Sequence, residues 1–164
     1  RGEVHSFDLH KSKLSLIAEG AERLGISSLD IDCVDATSPR EELFGTIDKV
    51  ICDVPCSGLG VLGKKPDLRY KSEESVAELP ALQQEILTAS AKYLKAGGEI
   101  LYSTCTLRKE ENEEAVEEFL ECNPEFTKID FTVGNLSSTD GMLTLLPSVH
   151  NTDGFFMAKL KKVR

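Results

Sequence analysis

No stretch of the 164 residues stays apolar for anything near the ~20 residues a membrane-spanning helix needs, so the chain does not read as an integral membrane protein. Basic residues are scarce. Nineteen Lys and Arg stand against 28 Asp and Glu, a net charge of -9, which argues against this chain alone being a strong nucleic-acid binder. Cysteines are few and unpaired: five occur, at 33, 52, 56, 105 and 122, without the spacing of a disulfide framework. Their odd number, with no signal-peptide pattern, points to a reducing, cytoplasmic setting where thiols stay free. Repeats and low-complexity tracts are also missing. What remains is the composition of a globular domain, 40% apolar and 29% charged with a mean hydropathy of -0.19. One domain of this length can bury roughly 70% of its unfolded surface. The chain opens at Arg1 and runs at once into a strand pattern, which reads as a domain cut in mid-strand.

Short runs rich in Val, Ile, Phe or Tyr predict strands over 3–8, 29–35, 46–54, 98–105, 126–131 and 154–160. Between the first two, Leu14, Ile17, Ala18, Ala21 and Leu24 recur at helical spacing, with Gly25 as a stop. A second helix follows from Leu79, Leu82, Ile86, Leu87, Tyr93 and Leu94, starting near Pro80 and ending at Gly97-Gly98. A third runs over 109–122, with Ala115, Val116, Phe119 and Leu120 on one face. Glu110, Glu111, Glu113 and Glu114 lie in its first turns, where the helix dipole favours acids. Alternating strands and helices imply crossover connections and a mostly parallel sheet covered on both faces. No convincing helix separates the last two strands, so one of them is expected to run antiparallel at an edge. The stretch 134–153 reads as loop, interrupted by the apolar run 142–146.

Ligands of open α/β sheets bind outside the carboxyl ends of the strands. Those ends carry Asp8, Asp35, Asp53-Val54-Pro55-Cys56 and Ser103-Thr104-Cys105-Thr106. A lone Asp after a strand is most simply a turn or cap. Several acids and two Pro/Thr-Cys steps in succession argue for a shared site. Asp8 could accept hydrogen bonds from a ribose, but the Gly-rich turn that should precede it by one strand is absent. Gly58-Leu59-Gly60-Val61-Leu62-Gly63 matches G-x-G-x-x-G by letter, yet Lys64-Lys65-Pro66-Asp67 follows it instead of an apolar helix. No helix N-terminus is thus offered to a pyrophosphate, and the segment reads as a flexible substrate loop or a plain surface turn. The sequon at Asn135 is chance. Cys52 and Cys56 are too differently directed for a metal pair. Cys33, Cys52 and Cys122 read as core, whereas Cys56 and Cys105 lie in loops where a thiol can meet substrate. His150 could serve a Cys-His hydrolase, but its surroundings suggest only a satisfied loop histidine.

At Asp53-Val54-Pro55-Cys56-Ser57-Gly58-Leu59-Gly60 and Ser103-Thr104-Cys105-Thr106 the sequence resembles the Sun-type (RsmB) bacterial ribosomal RNA cytosine-5 methyltransferases. The likeness continues through Asp8-Leu9-His10-Lys11-Ser12-Lys13-Leu14, Val34-Asp35-Ala36, Lys65-Pro66-Asp67 and Asp153-Gly154-Phe155-Phe156-Met157-Ala158-Lys159-Leu160. It implies a Rossmann-like class I methyltransferase sheet, mostly parallel with an antiparallel edge strand. The first strand and helix of that fold, its Gly-rich cofactor loop and an RNA-binding region should precede Arg1, so 1–164 is expected to be a partial domain. The resemblance implies S-adenosylmethionine as cofactor, small-subunit ribosomal RNA as partner, no metal and no membrane. It assigns Cys105 as the nucleophile that adds to cytosine C6 and gives Cys56 a part in product release. Asp8 maps to the ribose, Asp35 to the adenine side and Asp53 to the boundary between cofactor and cytosine. Pro55, Lys65 and Arg69 fall on the substrate side, where an unstacked base would enter and the two cations could meet phosphates.

Two other readings exist: a non-catalytic RNA- or ribosome-binding module that kept the fold, and half of a nicotinamide-dependent oxidoreductase suggested only by the glycines at 58–63. Two thiols at adjacent strand ends favour the enzyme. DNA cytosine methylation is disfavoured only through the likeness, since those enzymes place their nucleophile in the Pro-Cys step. With the methionine end of the cofactor uncradled, calorimetry on this chain alone should detect little or no S-adenosylmethionine binding; micromolar affinity would overturn the expectation of a partial domain.

Overall fold

The structure, a computed structural model, describes residues 2–164, so Arg1 and the expectation attached to it lie outside the described residues. The chain divides into two compact units, one up to Glu42 and one from Leu43 onward. Among the described residues no helix is long and apolar enough to cross a membrane.

In the first unit, β1 (Val4–Asp8) and β2 (Leu29–Cys33) pair in parallel from Val4↔Leu29 to Asp8↔Cys33, joined by α1 (Lys11–Arg23). Gly25 stops the helix as expected: it takes φ +65°, and the Ile26 N–H turns back to the Ala21 carbonyl. The predicted apolar stripe is only half realised. Leu14, Ile17 and Ala21 are half-buried, while Ala18 and Leu24 are exposed, because a two-stranded sheet offers a helix little surface to cover. Cys33, expected in the core, is exposed for the same reason.

The second unit holds β3 (Ile47–Asp53), the short α2 (Glu73–Ala77), α3 (Leu79–Ala91), β4 (Leu94–Thr104), α4 (Glu113–Cys122) and β5 (Phe126–Lys128). A small hairpin of β6 (Thr132–Val133) and β7 (Leu136–Ser137) follows, then β8 (Met142–Leu145), the four-residue α5 (Pro147–His150) and β9 (Phe155–Lys162). The sheet order is β3-β4-β9-β5. Strands β3 and β4 are parallel, and the expected antiparallel strand is β9. It is not left bare at an edge. Its first half pairs with β8 and its second half with β5, on the side away from β4. The apolar run 142–146, read as an interruption in a loop, is therefore largely strand β8.

Two helix boundaries differ from the sequence reading. α3 ends at Ala91, before the Gly97-Gly98 pair, because Leu94 already pairs with Ile47. The chain then bulges, with Gly97 at φ +81°, and resumes pairing at Glu99 opposite Lys49. The helix expected over 109–122 breaks at Asn112 (φ -119°, ψ -103°), leaving a 3-10 turn over Lys109–Glu111 ahead of α4.

Helices α3 and α4 pack on the sheet face carrying Ile100, Tyr102, Phe156, Ala158 and Leu160, joining Leu87, Val116 and Phe119 to that core. Each fully buried large apolar side chain contributes about 1.5–3 kcal/mol. The opposite face is not covered by these two helices, and Ile51 there is 78% exposed. Cys52 is buried as expected, but Cys122 is exposed, since it is the last residue of α4, past the buried stripe. Phe119 is 1% exposed and meets Phe126 edge-on at 5.2 Å between ring centres. Its replacement by alanine is expected to destabilise the chain by about 3–5 kcal/mol in urea unfolding monitored by circular dichroism; a loss under ~1 kcal/mol would mean the core does not rest on this contact.

Candidate active site

Strands β3 and β4 run side by side in register, Asp53 opposite Ser103, so the loops that leave them are neighbours. Pro55 lacks an N–H and cannot extend the β3 ladder, so the chain turns out of the sheet where Cys56 follows. Across from it, β4 ends at Thr104 and Cys105 comes next. The two sulfurs lie 2.9 Å apart, and the Cys105 backbone N–H donates to Cys56 Sγ at 3.2 Å. Both thiols are partly exposed. Each loop is stitched to the other beyond the thiols: Ser57 Oγ and Thr106 Oγ1 share a hydrogen bond of 2.7 Å, and the Gly60 N–H donates to the Cys105 carbonyl at 3.0 Å.

Burial, reinforced by the neighbouring Cys105 sulfur, pushes the Cys56 thiol up to about 12. Cys56 is thus protonated at neutral pH, a hydrogen-bond donor rather than a nucleophile. Cys52, deeper in the core, is likewise pushed up by burial and is shielded from solvent.

The remaining predicted residues fall into two groups. Asp53 is exposed at the end of β3, where Ser103 Oγ donates to its Oδ1 at 3.0 Å. Pro55 is exposed, and its carbonyl accepts from Gln83 Nε2. Lys65 and Arg69 are both exposed, at and within a 3-10 turn over Pro66–Tyr70, while the adjacent Lys64 is held by Asp153 at 2.6 Å. Asp8 and Asp35 belong to the first unit, each at or just past a strand end and each locally bonded. Asp8 Oδ1 accepts the His10 N–H at 2.8 Å with Lys13 Nζ 3.4 Å from Oδ2, and these lower its pKa below the ordinary value. Asp35 Oδ1 accepts both the Thr37 hydroxyl and N–H, which lowers it too, and neither bond uses Oδ2. His150 Nδ1 accepts the Leu146 N–H at 2.9 Å, so this ring closes its own turn. Among the described residues no three His, Cys, Asp or Glu side chains cluster as a metal site requires. A shallow depression lined by Glu3, Ser27, Ser28, Leu29 and Asp30 lies at the amino end of β2, away from the strand end that carries Asp35.

The glycine segment 58–63 is not the flexible loop its composition suggested. Gly58 and Gly60 are buried, and a methyl group at Gly60 would stand 2.2 Å from the Gly154 carbonyl oxygen and 2.8 Å from that of Cys105. The first half of the segment is a packed wall of the thiol site; only its end, at Gly63, is open. Three further buried residues escaped the sequence reading: Gln83, Glu111 and Asn112, all bonded to residues beside the cysteines. Glu111 was hidden in an acidic run that looks like a solvated helix start, and only the exposure of α3's other face could have singled out Gln83. Iodoacetamide at pH 7.5 should modify the exposed Cys33 and Cys122 at least about tenfold faster than Cys56 and Cys52, and the Cys56 rate should still be climbing above pH 9. Mass spectrometry of the digest reads this, and equal rates at pH 7.5 for Cys56 and Cys33 would contradict the protonated Cys56.

The fold of the chain has solved counterparts. NSun6 from Pyrococcus horikoshii, determined with SFG, superposes with a TM-score of 0.82 at 30% identity, over 100% of this chain and 42% of that one. A methyltransferase homolog from the same organism superposes at 0.81 with 27% identity, over 98% of this chain and 53% of that one. The chain thus has the α/β methyltransferase fold. Among curated proteins, the probable ribosomal RNA small subunit methyltransferases B of Synechocystis and Bacillus subtilis are 41% and 37% identical over 99% of this chain. The chain spans 38% of the length of each. Residues 1–161 match the family model of the 16S rRNA methyltransferases RsmB/F. By that match, which takes in both cysteine loops, the chain belongs to the RsmB/F family of 16S rRNA methyltransferases.

Proposed function

We propose that this chain carries the cysteine chemistry of an S-adenosylmethionine-dependent enzyme that methylates carbon 5 of cytosine in small-subunit ribosomal RNA. The observation that carries the reading is the pair of partly exposed sulfurs 2.9 Å apart, just beyond the ends of two adjacent parallel strands. Carbon 5 of cytosine is a poor nucleophile. Addition of the Cys105 thiolate to C6 forms an S–C6 bond and drives the C5=C6 electron pair toward C5, which becomes able to attack an electrophile. S-adenosylmethionine supplies that electrophile as a methyl group on a sulfonium. Once C5 has been methylated, a solvent water accepts the C5 proton, the C–H electron pair restores the C5=C6 bond, and the S–C6 bond breaks to release Cys105 as a thiolate. Cys56, whose sulfur lies 2.9 Å from Cys105 Sγ, can donate a hydrogen bond to that thiolate as it leaves and so stabilise it without giving up its own proton.

The carboxylates present suit the cofactor. Asp8 stands at a strand end with acceptor capacity left beyond its bonds to His10 and Lys13, as a ribose contact needs. Asp35 leaves Oδ2 outside its bonds to Thr37, so it can accept from an adenine amino group. Asp53 leaves Oδ2 outside its bond to Ser103. On the substrate side, Pro55 borders the Cys56 turn, and Lys65 and Arg69 stand exposed for phosphates flanking a base taken out of its stack.

The test uses the protein at its full natural length, with S-adenosylmethionine and small-subunit ribosomal RNA. Wild type should methylate cytosine. Cys105→Ala should lose turnover by roughly a thousandfold or more, as loss of a covalent nucleophile does. Cys56→Ala should accumulate a covalent protein–RNA adduct that survives denaturing electrophoresis. Methylation by Cys105→Ala would sink the assignment, and adduct formation by Cys105→Ala with none by Cys56→Ala would move the nucleophile to the Pro-Cys step.

A further inference from the structure

We propose that Glu111 and Asn112, successive buried residues at the turn that opens α4, are positioning residues that each fix the loop of one thiol; this rests on the two-cysteine reading above. Both are 1% exposed, and Gln83 beside them is 0% exposed. Glu111 Oε2 accepts the Ser57 N–H at 2.8 Å and Gln83 Nε2 at 3.0 Å. Gln83 Nε2 also donates to the Pro55 carbonyl at 2.9 Å. The residues on either side of Cys56, Pro55 and Ser57, are therefore both tied to this one buried pair. Asn112 repeats the device on the other loop. Its Oδ1 accepts from Thr104 Oγ1 at 2.5 Å and its Nδ2 donates to the Thr106 carbonyl at 3.1 Å, so the residues on either side of Cys105 are tied as well.

The local backbone makes this division possible. Glu111 closes a 3-10 turn and Asn112 departs from helical geometry before α4 begins, and side chains of successive residues diverge. One reaches the loop after β3 and the other the loop after β4. The Tyr102 hydroxyl donates to the Glu111 carbonyl at 2.7 Å and so pins the turn to the sheet that bears both loops. Packing alone does not account for Glu111. A buried carboxylate destabilises a fold relative to a well-packed apolar side chain, and here Oε1 has no hydrogen-bond partner among the described residues, with Arg108 Nε at 3.6 Å. What the carboxylate provides is one oxygen that collects two donors and sets the Cys56 turn.

That geometry separates the two residues experimentally. Both hydrogen bonds to Glu111 fall on Oε2, so a glutamine can supply them through its oxygen, at the loss of the 3.6 Å ion pair between Oε1 and Arg108. Asn112 uses an acceptor and a donor, so aspartate cannot replace it. In the full-length protein, Glu111→Ala should lower turnover about tenfold or more while trapping covalent RNA adduct as Cys56→Ala does, and Glu111→Gln should stay within about threefold of wild type. Asn112→Asp should lower turnover by about ten- to a hundredfold with no trapped adduct, because the nucleophile itself is displaced. Gln83→Leu, which keeps the packing and removes the Pro55 tie, should trap adduct and serves where Glu111→Ala fails to fold by circular dichroism. The proposal is overturned if Glu111 and Asn112 variants share one partition between adduct and product, if Glu111→Gln is as impaired as Glu111→Ala, or if folded Gln83→Leu traps none. Cys105→Ala run in parallel keeps the two ideas apart. Its inactivity together with an unsplit partition rejects the positioning roles alone, whereas its activity rejects the two-cysteine reading.

Discussion

Two sulfur atoms 2.9 Å apart, each in a loop that leaves one of two adjacent parallel strands, set the terms for the rest of this structure. Parallel strands need no turn between them, so nothing in the local chain brings their ends together. The register does it: Asp53 opposite Ser103 places the following loops side by side, and the loops must then be held against their own conformational entropy. Hydrogen bonds between the loops do part of this work, through Ser57 with Thr106 and Gly60 with the Cys105 carbonyl. Because Ser57, Thr104 and Thr106 are all fully buried, each of these groups left unpaired would cost about 1–3 kcal/mol. The same burial that makes the bonds obligatory keeps the loops from drifting.

Charge is unevenly distributed along the chain. The chain as a whole carries -9, a sign that repels a polyanion. Between 64 and 71, however, four basic residues stand with a single acid, just after the segment that carries Cys56. Two of the four are already engaged. Lys64 is paired with Asp153, and Lys71 Nζ donates to the Ser57 carbonyl, adding another tie to the Cys56 turn. Lys65 and Arg69 are left facing solvent in no ion pair among the described residues. The positive charge of this chain is thus locally concentrated in a short segment that follows the Cys56 loop in sequence, although the net charge is negative.

Much of this was legible beforehand, and the gaps have physical causes. Runs such as 29–35 and 46–54 announce strands because their Ile and Val residues suit a pleated surface, and strands form there over Leu29–Cys33 and Ile47–Asp53. The Pro-Cys and Thr-Cys steps announce two accessible thiols because small and kinked residues at strand ends carry the chain out of the sheet, and the structure brings those thiols together. Cys33 and Cys122 were misjudged because apolar neighbours in sequence do not guarantee a covering layer in space. Glu111 was unreadable for a related reason: among Glu110, Glu113 and Glu114 it has the composition of a solvated face, and only the break at Asn112 turns it inward. The end of α3 was misplaced because the pairing of Leu94 with Ile47, a contact between distant residues, outweighs the stop signal of Gly97 and Gly98.

The glycines at 58 and 60 show the same tertiary logic at its strictest. By letter they belong to a phosphate-binding pattern, where glycine is used because a ligand's backbone approach leaves no room for a side chain. Here the close approach is made by the protein itself. The Gly154 N–H donates to the Gly60 carbonyl at 2.8 Å while the Gly60 N–H reaches the Cys105 carbonyl, so three backbone segments meet at a point where a single methyl would strike two carbonyl oxygens. Gly154 immediately precedes β9, the antiparallel strand that flanks β4. A strand far along the sequence thereby locks the carbonyl of Cys105 from one side, while Asn112 holds Thr104 and Thr106 from the other. The position of Cys105 is therefore fixed by contacts from three parts of the chain, none of which lies next to it in sequence, and the conformational freedom that a loop thiol would otherwise have is removed by the fold itself.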